Sequence, residues 1–330
     1  MDVNGALLEF MGAMRKLIIS AIPYLNTAPL MWDFERGRPP GESAAPAREA
    51  PESGASERGA PENAAPRRAP VSPELANDFA VEYTLPALCA EALRAGAADI
   101  GIMPVAAYAE IPKLAIIPEI AIAACGPVRS ILLVSKVPLE QVRTLAADTS
   151  SRTSTALARV LFTRWFGRAP EFVPAAPQLD SMLARCDAAL IIGDPALRLD
   201  RSRHLTWDLA EEWRRLTGKP FVFAFWAARM AALAEARSGL DVSALFRASC
   251  EKGLEPASLA VIAREWAPRV AMSERAVVEY LTRNIHYALD EECAEGLKLF
   301  FRYAAECGAI PNPPQPFRFL STLRDAILCL

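Results

Sequence analysis

The amino-acid sequence predicts an α/β protein with mostly parallel sheets and a helical C-terminal region. Short apolar runs of strand length alternate with segments of helical spacing along most of the 330 residues. Polar residues collect just after those runs, where open α/β sheets place their ligands. From about Ala231 to Cys307 apolar residues recur at helical spacing throughout. Such alternation builds sheets covered by helices.

Lys16–Ala21 reads as a first buried strand, and the loop Pro23–Leu30 after it opens a helix. Residues 36–74 differ from the rest. Eight prolines are mixed there with Ala, Glu, Gly, Ser and Arg, and large apolar side chains are absent from 39 to 70. Such a segment buries too little surface to offset its chain entropy, so a disordered surface insertion is expected. Order resumes at Phe79–Tyr83, an alternating strand, followed by a helix from Pro86 to Ala95 that stops at Gly96. Asp99–Pro104, Leu114–Ala124, Ser130–Val134, Thr144–Ala147 and Ala188–Asp194 read as further strands, with a helix start near Pro138. Phe221–Trp226 reads as the last strand.

Composition narrows the function. Hydrophobic residues make up 52% and charged residues 23%, a globular balance. The net charge is −3 and the folded part has no Lys/Arg run, which argues against nucleic acid and anionic membranes as partners. The seven cysteines are scattered with no CxxC pair, as expected for reduced thiols in a cytoplasmic protein. No signal-peptide core and no run of about 18 apolar residues is visible. With only two histidines, no Cys/His cluster and no nucleotide fingerprint, neither a metal nor an organic cofactor is expected.

The polar residues define a candidate site. Tyr24, Asn26 and Thr27 follow the first strand, and Arg129 and Ser130 precede the strand at 131. Asp148–Thr155 is a hydroxyl-rich strand-to-helix turn containing Thr149, Ser150, Ser151, Arg152 and Thr153, while Gly193 and Asp194 follow the strand at 190. Free N–H groups at a helix start, with Ser and Thr beside them, attract carboxylates or phosphates. Hydroxyls, an amide and arginines suit an organic polyanion held by hydrogen bonds and charge. An ordinary Ser/Thr cap, a capping Asn26 or Asp194, or a structural Arg129 ion pair would give the same residues individually. Their convergence from four segments is what points to a ligand.

Several segments together resemble one family, over about Leu17 to Pro311. They are Ile22–Thr27 with Pro29–Leu30, Asp99–Val105, Gly126–Ser130, Asp148–Ser154, Ile192–Leu197, Asp208–Trp213 and Gly218–Val222. The family is chorismate dehydratase, of the futalosine route to menaquinone. The resemblance implies a two-lobed fold like a type II periplasmic binding protein. One lobe would span 15–122 plus 223–330 and the other 123–222. It also implies that Asn26 and Ser130 are the main active-site residues, with chorismate as substrate. A sister family of the same fold opens on a loop with a catalytic histidine, and no histidine lies near residues 20–30 here. Departures are small: Pro23 stands where the family has Ser, and Val105 where many relatives have Ser. A small organic-acid binding module or a ligand sensor of the same fold is the alternative. The first would need an export signal and the second an output domain.

Overall fold

The computed structural model describes residues 15–36, 67–148, 151–236, 239–311 and 316–320. β1 (Leu17–Ala21) runs into a 3-10 turn (Leu25–Met31) and α1 (Trp32–Arg36). Then come β2 (Arg67–Ala69), β3 (Phe79–Tyr83), α2 (Pro86–Ala95), β4 (Ile100–Pro104), α3 (Val105–Tyr108) and β5 (Leu114–Ala124). The next stretch holds β6 (Ile131–Ser135), β7 (Thr144–Asp148), α4 (Arg152–Phe166), β8 (Glu171–Ala175), α5 (Leu179–Arg185), β9 (Ala188–Ile192) and α6 (Asp194–Leu197). It continues with β10 (Leu205–Asp208), α7 (Leu209–Thr217) and β11 (Phe221–Arg229). The C-terminal part holds α8 (Met230–Ala234), α9 (Val242–Gly253), α10 (Pro256–Val270), α11 (Glu274–Glu279), a π-turn (Tyr280–Asn284), β12 (His286–Leu289) and α12 (Glu291–Glu306).

The strands form a seven-stranded sheet, β12-β5-β11-β4-β1-β3-β2, and a five-stranded sheet, β10-β6-β9-β7-β8. The chain leaves the first sheet after Ala124 and returns to it at Phe221. β4, β6 and β9 are buried along their whole length, which is why they read as unbroken apolar runs rather than alternations.

Both sheets are mixed, where the strand–helix alternation predicts mostly parallel ones. β1 pairs in parallel with β3 and β4, and β7 with β8 and β9. β11 runs antiparallel between β4 and β5, and β6 runs antiparallel between β9 and β10. The reason is the double crossing. A strand that arrives from the other sheet, rather than through a helix of its own sheet, is free to enter in the opposite direction.

Three further expectations are corrected. The C-terminal region is helical except for β12, which pairs antiparallel with β5 through His286↔Ala123. Ile285–Leu289 alternates in burial, the period-2 pattern of an edge strand. Both ends of the expected 36–74 insertion belong to described structure. Arg36 ends α1, and Arg67–Ala69 adds an antiparallel edge strand to β3. Ser72 N–H then donates to Phe34 O at 2.8 Å. Residues 37–66 lie outside the described residues. Near Pro138 the chain makes only a short 3-10 turn, Leu139–Gln141.

One large core takes in residues of both sheets, and a smaller one packs Met182 and Leu183 against the five-stranded sheet. Phe34, Phe79 and Phe246 meet at centroid distances of 5.4, 4.6 and 6.4 Å, joining α1, β3 and α9. Trp213 of α7 packs edge-on against Phe221 and Phe300, and its indole N–H donates to Pro220 O at 3.0 Å. Each such aromatic contributes about 1.5–3 kcal/mol of burial. α9 also braces the loop after β1. A Cβ on Gly253 would stand 2.0 Å from the Pro29 carbonyl oxygen, so only glycine fits there. Ser249 Oγ donates to Leu30 O at 2.9 Å and accepts from Asp33 N–H at 3.0 Å.

Candidate active site

Strand register brings the candidate segments together. β1 and β4 are parallel neighbours (Ile19↔Ile100), so Tyr24–Thr27 and Val105–Ala106 follow adjacent strand ends. In the other sheet Ala147 pairs with Leu190, and Ile192 with Ile131. The end of β7, the end of β9 and the start of β6 therefore share one edge.

The two edges are joined by specific contacts. Leu25 N–H donates to Asp194 Oδ1 at 3.1 Å. The Tyr24 ring lies on Gly193, where an added Cβ would be 2.9 Å from Cε2. Gly193 also has φ 66, so glycine is required for space and for backbone conformation. Its N–H donates to Ser130 O at 2.8 Å. Asp194 is both the start of α6 and a link between sheets. Burial pushes its carboxyl up to about 6, against the Leu25 N–H and the charges of Arg198 and Arg269.

Ser130 is buried, and its Oγ accepts from Tyr280 O–H at 2.9 Å. Asn26 O accepts from Tyr287 O–H at 2.9 Å. The Asn26 side-chain oxygen accepts from Thr27 Oγ1 at 3.5 Å, the long limit for such a bond. Asn284 Nδ2 donates to Pro127 O at 2.9 Å. Burial raises both tyrosines above the usual phenol range, so both stay protonated donors.

Arg129 has φ 65, a left-handed backbone uncommon outside glycine. Asp208 holds it there. Its carboxylate accepts from Val128 N–H at 3.1 Å and Arg129 N–H at 2.6 Å, while capping α7 through Ala210 and Glu211. Burial raises the Asp208 carboxyl, and the N–H groups of Arg129, Val128 and Glu211 hold it back.

In the hydroxyl-rich turn, Thr149 and Ser150 lie outside the described residues. Ser151 is the N-cap of α4, its side chain accepting from Ser154 N–H at 3.3 Å. Thr153 Oγ1 accepts from Ala106 N–H at 3.2 Å, tying α3, which follows β4, to α4. Arg152 pairs with Glu110 at 3.0 Å and lies 3.9 Å from Glu91. A cavity of about 360 Å³ opens on this flank, lined by Asp148, Ser151, Arg152, Glu110 and Arg159 among others. Neither Asn26 nor Ser130 lines it. The structure thus gathers Tyr24, Asn26, Arg129, Ser130, Gly193 and Asp194 at one place and sets Ser151–Thr153 beside it.

Tyr280, Tyr287, Asn284 and Asp208 bond to the candidate segments, and sequence reasoning misses them. Two tyrosines seven apart read as a helical stripe. Asp208 before Leu209 and two glutamates carries the signal of a helix cap, and only the fold adds its second task. Among the described residues one further group has donors for a cation: His286, Asp290 and Cys293, with ligand atoms within 4.8 Å of one another. Its atoms are already engaged with one another and with the backbone. His286 Nε2 lies 2.7 Å from Asp290 Oδ2, Asp290 Oδ1 caps α12, and burial pushes the Cys293 thiol up to about 12.

Two sheets whose strand ends are bridged by polar contacts give the fold of the periplasmic binding proteins. The alkanesulfonate-binding protein of Xanthomonas axonopodis, solved with MOPS bound, superposes with a TM-score of 0.57 at 12% identity, covering 91% of this chain and 95% of its own. The periplasmic aliphatic sulphonate binding protein of Escherichia coli gives 0.55 at 13%, covering 93% and 94%. Residues 17–306 match the menaquinone biosynthesis family, and the chain belongs to it. The chorismate dehydratase of Thermus thermophilus is 28% identical over 257 residues, covering 72% of this chain and 89% of that protein. Among the described residues no helix is long and apolar enough to cross a membrane.

Proposed function

We propose that this protein is a chorismate dehydratase, a hydro-lyase converting chorismate to 3-[(1-carboxyvinyl)oxy]benzoate and water. The observation that carries the reading is the circuit of contacts around the crevice. Leu25 reaches Asp194, Gly193 reaches Ser130, Tyr280 reaches Ser130, and Tyr287 reaches Asn26. Asn26 and Ser130, the two residues that the family resemblance implies, belong to segments that this circuit joins. The 28% identical dehydratase supports the choice of substrate.

The reaction removes the proton on the ether-bearing ring carbon and the neighbouring hydroxyl, which leaves as water. The ring becomes aromatic, and this supplies the thermodynamic drive without an oxidant. The electron pair of the broken C–H bond delocalises into the ring carboxylate, so donors near that group stabilise the transition state. Ser151, Thr153 and the adjoining Thr149 and Ser150, with Arg129 and Arg152, would hold carboxylates, Arg152 exchanging Glu110 for substrate. Asn26 and Ser130 would act in the chemical step, and the substrate's side-chain carboxylate would take the proton. The protein contributes a held conformer and exclusion of water. The parts carrying the two sheets would act as lobes, 15–122 with 223–330 against 123–222.

Incubating the purified protein with chorismate and following the aromatic product by ultraviolet absorbance and mass spectrometry tests this directly. Product is expected. Unchanged chorismate with measurable binding would instead identify a binding module. Asn26→Ala and Ser130→Ala should each lower kcat by about two orders of magnitude, the scale of one oriented donor. Near-normal kcat in Asn26→Ala would leave Asn26 as a structural residue of the turn.

A further inference from the structure

The segment Tyr280–Tyr287 reaches both walls of the crevice, and neither tyrosine has a part in the chemistry above. It begins as a π-turn at the end of α11 and becomes β12. π-turns are rare and concentrate at functional sites, because the extra residue turns side chains away from the helical stripe. Here it lets Tyr280 and Asn284 face the Pro127–Ser130 loop while Tyr287 faces the loop after β1.

The contact between Tyr280 and Ser130 has a definite polarity. A serine hydroxyl has one proton and two lone pairs. A phenol is far more acidic than an alcohol, so the phenol donates and the serine oxygen accepts. Both groups are 1% exposed, so no water competes for the bond. With one lone pair occupied, the Ser130 proton must point elsewhere. Gly193 N–H already occupies the Ser130 backbone oxygen.

We infer that Tyr280 is a positioning residue for Ser130: its hydroxyl donates to Ser130 Oγ, which turns the Ser130 O–H toward the crevice and makes it a better donor to a bound anion. The chemistry of this step rests on the proposed dehydratase reading, while the geometry does not. Hydrogen bonds in a chain polarise one another, so a donor that itself accepts is strengthened.

The test combines kinetics with structure. Tyr280→Phe keeps the ring and removes only the hydroxyl. It should lower kcat about tenfold, the scale of one neutral hydrogen bond, with KM within about twofold. In a Ser130→Ala background the same change should cost less than twofold, because Tyr280 acts through Ser130. Equal losses in both backgrounds would make Tyr280 a structural residue and overturn the inference. So would a melting point that falls while kcat stays at the wild-type value. If the wild type does not dehydrate chorismate, the functional reading fails by itself. The inference is then decided by high-resolution crystal structures of wild type and Tyr280→Phe. A rotated or split Ser130 side chain in the variant supports it, and one unchanged rotamer overturns it.

Discussion

The left-handed backbone at Arg129 costs about 1–2 kcal/mol for a residue with a Cβ. Asp208 offsets it with two hydrogen bonds to the same loop. Asp194 shows the opposite balance, a carboxyl that burial raises from 3.8 to about 6. Its folded state keeps the proton that the unfolded chain releases. Stability from this group is therefore complete below about pH 4 and falls as pH rises toward about 6. Asp194→Asn keeps an oxygen for the Leu25 N–H and removes the buried charge. Its melting temperature should exceed wild type at pH 7, and the gap should close between about pH 6 and pH 4. A gap independent of pH would show that Asp194 ionises normally. The identity of Asp194 as a polar strand-end residue was readable from sequence. Its contact with Leu25 was not, because 169 residues separate the two.

Elements tell a similar story. Most strands were legible with their bounds: Leu114–Ala124 and Phe79–Tyr83 agree with β5 and β3. Pro86 at the helix start and Gly96 at its end bracket α2, with Gly96 in the left-handed conformation at φ 75. The strands that the sequence pattern leaves unmarked are β2, β8, β10 and β12, and all four stand at sheet edges. Edge strands pack on fewer neighbours and need fewer large apolar residues, so their signal is weak. On either side of residues 37–66 the described chain is held by pairing. Ser72 meets Phe34, and β2 pairs with β3. Replacing residues 37–66 with a short Gly/Ser linker should therefore leave the melting temperature within a few degrees and turnover within about tenfold. Loss of folding, seen by circular dichroism, would assign that segment a structural task.

At the scale of the whole molecule, contacts bridge the crevice on several sides. Leu25–Asp194, Tyr24–Gly193, Thr153–Ala106, Arg152–Glu110 and Tyr280–Ser130 all join parts of the chain belonging to different sheets. On the proposed reading, admitting the substrate means parting these bridges, and all but Arg152–Glu110, which Arg152 exchanges for substrate, re-form around it. Small-angle scattering should give a smaller radius of gyration for protein saturated with the benzoate product than for ligand-free protein. Equal radii would mean that the crevice fills without opening.

The sequence alone determined the α/β class, most strands, the strand-end positions of the polar residues and, through its motifs, the family. These are local properties, set by apolar periodicity, cap residues and short-range spacing. Only the tertiary structure decided that the sheets are mixed and that β12 interrupts the C-terminal helices. It also decided that Arg152 faces Glu110, and that Tyr280 and Tyr287 stand over the two candidate residues. Each of those depends on pairing between residues tens to hundreds of positions apart. No local pattern encodes such pairing, because its free energy is realised only when the two sheets come together.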